Sequence, residues 1–220
     1  MACCSGCSRY AEAERQFGTA IAARDVERYR RKGPDATSRL LLNALREHVD
    51  GASSLLDTGG GIGALDFELL ANGVGLATLV DAAQAYLDAA AREAESRKMA
   101  DRLRCVLGDF AVLADEIESA DIVTLHRVVC CYPDHASLLQ AAATHARRVL
   151  AFTYPLDRWY VRCWLALENV RRRLLGNPFR TFLHAPGAME ARVMQDRFVR
   201  VHRSRTFVWS IDVYVRQQGM

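Results

Sequence analysis

The chain has 220 residues with a formal net charge of +3, half of them hydrophobic and a quarter charged. That length supports one sizeable core and a small appendage, and so slight a charge, with no Lys/Arg stripe interleaved with aromatics, excludes an evident nucleic-acid footprint. No apolar run approaches the roughly 20 residues that span a bilayer, and Met1-Ala2-Cys3-Cys4-Ser5-Gly6-Cys7 lacks the apolar segment of a secretory signal.

Residues 9–31 are charged with sparse apolar positions (Tyr10, Phe17, Ile21, Val26, Tyr29) and predict one or two helices lying over the domain, stopped at Lys32-Gly33-Pro34. Asp35 suits the N-cap of a further helix whose buried face is Leu40, Leu41, Leu42, Leu45 and Val49. Residues 53–63 read as a buried strand that ends in Asp57 and breaks into a glycine-rich turn, with a helix over 64–71. Strands are then predicted at 76–81, 103–109, 120–125 and 148–153. Helices alternate with them at 82–99, from 110 through Ile117, and at 138–145. Such alternation argues for an α/β fold with a parallel sheet covered on both faces.

After Pro155 the pattern changes. Trp159, Trp164, Leu165, Leu167, Val170 and Leu174 recur at helical spacings over 157–175, and Gly176-Asn177-Pro178 ends that helix. Another helix is predicted over 186–195. The runs 198–202 and 207–215 form an antiparallel hairpin.

The glycine turn is a nucleotide-binding turn, because glycines permit the sharp strand-to-helix reversal and let a ligand lie on main-chain N–H groups. Gly59-Gly60-Gly61-Ile62-Gly63-Ala64 satisfies the dinucleotide pattern G-x-G-x-x-G/A. Asp81 ends the second strand, 24 residues after Asp57, where an acid accepts hydrogen bonds from a ribose diol. That role suits a nicotinamide cofactor and other nucleosides alike, and a polar strand end is the plainer alternative. Asp109 also reads as a helix N-cap.

Asp57-x-Gly59-x-Gly61-x-Gly63, together with Gly108-Asp109-Phe110, resembles class I S-adenosylmethionine-dependent methyltransferases. The run Val128-Val129-Cys130-Cys131-Tyr132-Pro133-Asp134 is similar to small bacterial methyltransferase-domain proteins, and the chain is more loosely similar to magnesium-protoporphyrin O-methyltransferases. The resemblance spans about residues 35–215. It implies a Rossmann-like, mostly parallel sheet closed by the C-terminal hairpin, with S-adenosyl-L-methionine as cofactor. Residues 1–34 would be a helical lid, and 35–220 the methyltransferase domain with an insertion at about 155–195. It further implies that Asp57 organises the turn and that Gly59 and Gly61 approach the methionine portion by their backbones. Asp81 would take the ribose, Asp109 the adenine amino group and Phe110 the adenine ring. His126 and Arg127 would line the cofactor, and Tyr10, Tyr29 and Arg31 would be lid contacts.

His126, Arg127 and Tyr132 follow the fourth strand, and in an open α/β sheet ligands sit beyond the carboxyl ends of the strands. His126, with an ordinary pKa of about 6.5, is a candidate general base, and Tyr132 a candidate assistant in deprotonation. Simple lining of the cofactor by this backbone is the alternative. The segment lacks the Asn/Asp-Pro-Pro-Tyr pattern of methyltransferases that act on planar nitrogens, which argues against nucleic-acid or protein-glutamine acceptors.

In the insertion, Trp159, Tyr160, Trp164, Phe179, Phe182 and His184 favour an apolar or aromatic small-molecule acceptor. Arg158, Arg162, Arg171, Arg172 and Arg173 would meet a carboxylate or an anionic surface, or form a solvated basic face. Seven cysteines in no even spacing suit reduced thiols in the cytoplasm, and no metal is expected. Cys130 and Cys131 with Cys3, Cys4 and Cys7 leave thiolate-assisted metalloid methylation as a minor reading. A nicotinamide oxidoreductase and a non-catalytic cofactor binder also remain open.

Overall fold

The computed structural model describes residues 12, 13 and 15–217. Tyr10, Cys3, Cys4 and Cys7 lie outside the described residues. Two helices precede the sheet: α1 (Thr19–Lys32) and α2 (Ala36–Val49). Alternating units follow: β1 (Ser54–Thr58), α3 (Ala64–Ala71), β2 (Leu76–Asp81), α4 (Gln84–Ser96), β3 (Leu103–Leu107), α5 (Phe110–Leu113), β4 (Ala120–Leu125), α6 (His135–His145) and β5 (Ala146–Pro155). The chain ends with α7 (Trp159–Leu174), α8 (Pro186–Met194), β6 (Phe198–Arg205) and β7 (Trp209–Arg216).

The seven strands form one sheet in the order β3-β2-β1-β4-β5-β7-β6. The first five are parallel, and β7 runs antiparallel between β5 and β6. β4 and β5 read as near-continuous apolar runs because both faces are covered, as parallel central strands require. At one edge, β6 carries Arg200, His202, Arg203 and Arg205, which discourage pairing with another chain.

α2 starts where expected, the Asp35 carboxylate accepting from the N–H groups of Thr37 and Ser38 at 2.9 and 3.0 Å. Its fully buried Leu41 and Leu45 join Leu55, Leu69 and Val149 in one core layer. The opposite layer contains Val123, Leu150, Phe152 and Tyr214 with Leu139 of α6. Strand order reverses between β1 and β4. The two loops leaving those strands therefore diverge and open a crevice at their carboxyl ends.

In α7 the expected apolar spacing does not all turn inward. Val161 and Leu165 are its buried residues, whereas Trp159, Trp164, Leu167, Val170 and Leu174 are exposed.

Candidate cofactor and acceptor site

Two of the turn glycines are required for different reasons. Gly59 sits at φ +67°, its N–H donates to the Val80 carbonyl at 2.6 Å, and an added Cβ would stand 2.4 Å from a Val128 methyl. Gly60 has an ordinary φ, but its Cβ would lie 2.3 Å from both Asp57 Oδ2 and Leu79 Cδ1. The turn is thus pressed onto the end of β2 and onto Asp57 beneath it.

Asp57 is fully buried, and its Oδ1 accepts from Thr124 Oγ1 at 2.5 Å. Its other oxygen faces Asp66 in the first turn of α3, also fully buried. With both groups ionised, neither Asp57 Oδ2 nor either Asp66 oxygen has a donor. Burial raises both pKa values, that of Asp57 to about 7, which sets the two carboxyls to share one proton. Asp66, a lone acid in an apolar helix, escaped the sequence reading.

Asp81 accepts from the N–H groups of Gly61 and Ala83 at 3.0 and 2.8 Å, which fixes its carboxylate against the turn. Asp109 caps α5 through the Ala111 N–H at 3.0 Å and also accepts from the Tyr132 hydroxyl. Capping and ligand-facing positions therefore coincide in Asp109. Phe110 is buried beside it, with its ring edge-on to His145. Tyr132 stands at the Asp109 end of the crevice and gives its hydroxyl to that acid, an arrangement that does not favour the deprotonating role expected of it.

His126 begins the loop after β4. Its Nε2 lies 3.1 Å from Ser38 Oγ and its Nδ1 3.2 Å from Thr153 Oγ1. Thr153 Oγ1 accepts the Arg127 N–H at 2.8 Å, and Ser38 Oγ donates to Asp35 at 3.3 Å. One hydrogen orientation satisfies the chain: Thr153 donates to Nδ1, and Nε2–H donates to Ser38. Arg127, at φ +63°, closes the circuit with an ion pair to Asp35 at 2.9 Å.

Burial first, and the adjacent guanidinium second, hold the His126 pKa down to about 3. The imidazole is therefore neutral at physiological pH and a weak base, so proton abstraction does not suit it. Its geometry instead ties α2 to the ends of β4 and β5.

The roof comes from α1 and the segment after α7. Phe17 stacks on Tyr86 at 5.5 Å and meets Phe179 edge-on at 5.3 Å. Tyr86 donates to Asp25 at 2.9 Å, Tyr29 donates to Glu68 at 2.9 Å, and Asn177 Nδ2 donates to Gln16 at 2.8 Å. The Phe182 N–H donates to the Cys130 carbonyl at 2.6 Å and His184 Nε2 to the Tyr132 carbonyl at 2.8 Å, which latches this segment over the loop after β4.

These elements enclose a cavity of about 840 Å³. Gly59, Gly61, Asp81, Asp109, Phe110, His126, Arg127, Tyr132 and Tyr29 all line it. Arg31 does not. It projects from α1 toward Glu27 at 3.6 Å, and Arg24 and Arg28 are the arginines of that helix on the cavity wall. Phe179 and Phe182 line the cavity, but Trp159, Tyr160, Trp164 and His184 do not. Sequence reasoning missed Ser38, Thr153, Asp25 and Tyr86, which carry no local signature and are recruited from separate elements.

Cys131 reaches the cavity wall, and both Cys130 and Cys131 sulfurs lie 3.5 Å from the Arg127 carbonyl. Cys130 is buried beside Cys131, and its thiol pKa is pushed well up, which makes it a poor thiolate ligand. Among the described residues, no cluster of three or more His, Cys, Asp or Glu side chains is arranged to hold a metal.

The donor set fits a nucleoside without phosphates. Two carboxylates face the cavity at the ends of β2 and β3, and the turn over 58–63 carries no basic residue. The cavity's arginines (Arg24, Arg28, Arg127 and Arg180) come from other elements.

Residues 55–151 match the methyltransferase-domain family. That segment contains β1 through most of β5, and with it Asp57, the glycine turn, Asp81, Asp109, His126 and Tyr132. No curated protein matches the chain in sequence. Magnesium protoporphyrin IX methyltransferase from Synechocystis PCC 6803, solved with bound S-adenosylhomocysteine, is similar in structure. It has a TM-score of 0.67 and 18% identity over 90% of this chain and 96% of that one.

Human N-acetylserotonin methyltransferase in complex with S-adenosylmethionine has a TM-score of 0.61 and 18% identity, over 83% of this chain and 52% of that one. An O-methyltransferase family 2 protein from Planctomyces limnophilus DSM 3776, in complex with apigenin, has a TM-score of 0.59 and 18% identity, over 84% and 63%. The fold is that of these S-adenosylmethionine-dependent methyltransferases, and the central segment matches a methyltransferase domain.

Proposed function

We propose that this protein transfers the methyl group of S-adenosylmethionine to a small-molecule acceptor held between α1, the end of β4 and the segment over 176–182. The reading is carried by the pairing of Asp81 and Asp109 across a cavity whose glycine turn has no phosphate-binding cation. Asp81 takes the ribose diol, Asp109 the adenine amino group, and Phe110 packs on the ring. The backbone of Gly59 and Gly61 approaches the amino-acid portion, over the protonated Asp57–Asp66 pair. When bound, the cofactor supplies an electrophilic methyl group.

The acceptor side is partly apolar, with Phe179 and Phe182, and partly cationic, with Arg28 and Arg180. It suits a flat or apolar molecule that bears an acidic group. Because His126 is neutral and weakly basic, the rate enhancement rests on holding acceptor and cofactor in near-attack geometry. Residues over 15–34 act as a lid, with Tyr29 holding it to Glu68. The seven cysteines favour a cytoplasmic setting.

Isothermal titration with S-adenosylhomocysteine and, separately, NADH tests the cofactor, using wild type and Asp81→Ala. The expected result is micromolar affinity for S-adenosylhomocysteine alone, lost in the variant. NADH binding in its place would make the protein an oxidoreductase and overturn the reading. Cofactor binding with no turnover across an acceptor screen would identify a non-catalytic binder.

A further inference from the structure

Helix α7 is apolar on two opposite faces. Val161 and Leu165 pack inward. On the other side Trp159, Cys163, Leu167, Val170 and Leu174 recur every three or four residues and form one stripe. That stripe is open to solvent, with Trp159 exposed to 76%, Leu167 to 67% and Leu174 to 82%. Phe207, from the turn between β6 and β7, is exposed to the same degree as Trp159 and stacks on Tyr160 at 4.6 Å, which widens the patch. A contiguous apolar surface rimmed by polar residues marks an interaction site.

The rim is cationic. Arg162 pairs with Asp157 at 2.6 and 2.9 Å and Arg171 with Glu168 at 3.0 Å, while Arg158 and Arg173 stand exposed beside them, so the rim keeps a net positive charge. Helical spacing puts Arg162 and Arg173 on one flank of the stripe and Arg171 with Trp164 on the other. We propose that the outer face of α7, with Phe207, docks on an anionic lipid bilayer surface.

Charge decides between occupants. A second copy laid antiparallel on the same face would set the flank carrying Arg162 and Arg173 against its own copy, where each flank has only Asp157 as counter-charge and both are net positive. Anionic headgroups answer the arginine rim, while Trp159 and Phe207 suit the boundary between headgroups and acyl chains. No described helix is long and apolar enough to cross a bilayer, so α7 lies in the surface plane. The inner face of the same helix holds the cavity wall. Asn169 and Thr181 exchange two hydrogen bonds at 2.8 and 3.0 Å, and Arg172 donates to Thr181 at 2.8 Å, between Phe179 and Phe182. Docking would therefore set that wall beside the membrane. The inference stands apart from the identity of the cofactor or acceptor.

The test uses the full chain with phosphatidylcholine vesicles, with and without phosphatidylglycerol, read by co-sedimentation and tryptophan emission. Wild type should sediment with the anionic vesicles only, and its emission should shift to the blue. Leu167→Glu/Leu174→Glu and Arg158→Glu/Arg173→Glu should each weaken binding roughly tenfold or more, with unchanged circular dichroism and melting, because all four side chains are exposed. Failure of wild type to bind anionic vesicles would overturn the proposal, as would binding undiminished in both variants. A wild-type dimer in light scattering that dissociates in Leu167→Glu/Leu174→Glu would assign the face to a second copy instead.

Discussion

The carboxyls of Asp57 and Asp66 face each other, fully buried, beneath the turn that approaches the cofactor. Both have raised pKa values, so between the unfolded value near 4 and the folded value of about 7 for Asp57 the native state holds more protons than the unfolded chain. Their contribution is present in full below that window and is lost as pH rises through it. Asp66→Asn should put an amide N–H where the shared proton sits. We expect it to be more stable than wild type at pH 8 by about 1–3 kcal/mol, with a smaller difference between pH 5 and pH 8. Urea unfolding at both values checks this, and a wild type equally stable at the two would remove the shared proton.

His126 contributes in the opposite direction. Its folded pKa of about 3 lies below the unfolded value near 6.5, so stability falls as pH drops below about 6.5, where only the unfolded chain takes up the proton. His126→Asn should flatten the acid side of the stability curve relative to wild type. In turnover assays the wild-type pH–rate profile should show no inflection near 6.5 from this residue. An inflection there that vanishes in His126→Asn would restore it as the base.

Gly60→Ala should destabilise the protein by about 1–3 kcal/mol although its φ is ordinary, since the new methyl collides with Asp57 and Leu79 at 2.3 Å. Gly59→Ala adds strain at positive φ to its collision with Val128 and should cost at least as much. Thermal melts rank the two. A neutral Gly60→Ala would mean that the turn stands farther from Asp57.

Phe17 joins Tyr86 of the core to Phe179 of the roof, so Phe17→Ala should loosen both sides of the lid. We expect about a tenfold faster release of S-adenosylhomocysteine in stopped-flow measurements, with a smaller loss of global stability than the roughly 2–5 kcal/mol of a core change such as Leu45→Ala. Unchanged release would make the ring contact incidental.

The sheet was legible in the chain because its determinants are local. Apolar runs stop at Asp57 and Asp81, glycines mark the reversal after β1, and Asp35 announces α2. The strand at 148–153 proved longer, running from Ala146 to Pro155, because β4 pairs with Ala146 at its start and β7 pairs with it as far as Pro155. Within the site, Asp81, Asp109 and Phe110 line the cavity because a strand's end and the loop that follows it share one edge of the sheet.

The rest depends on segments far apart in sequence. His126 reads as an ordinary imidazole until Ser38, 88 residues away, and Thr153 enclose it, and that enclosure turns a candidate base into a neutral tie. Arg31 and Arg28 are alike in composition, but the packing of α1 turns only Arg28 toward the cavity. The spacing in α7 specified a helix with several apolar positions, and only its seat on the sheet selected Val161 and Leu165 for the core and left Trp159, Leu167 and Leu174 outside. Periodicity and turn chemistry act over a few residues, so the sequence by itself determined the elements, their order and the acids at the strand ends. Burial and desolvation are collective, so the protonation of Asp57 and His126 and the outward face of α7 were decided only by the tertiary structure.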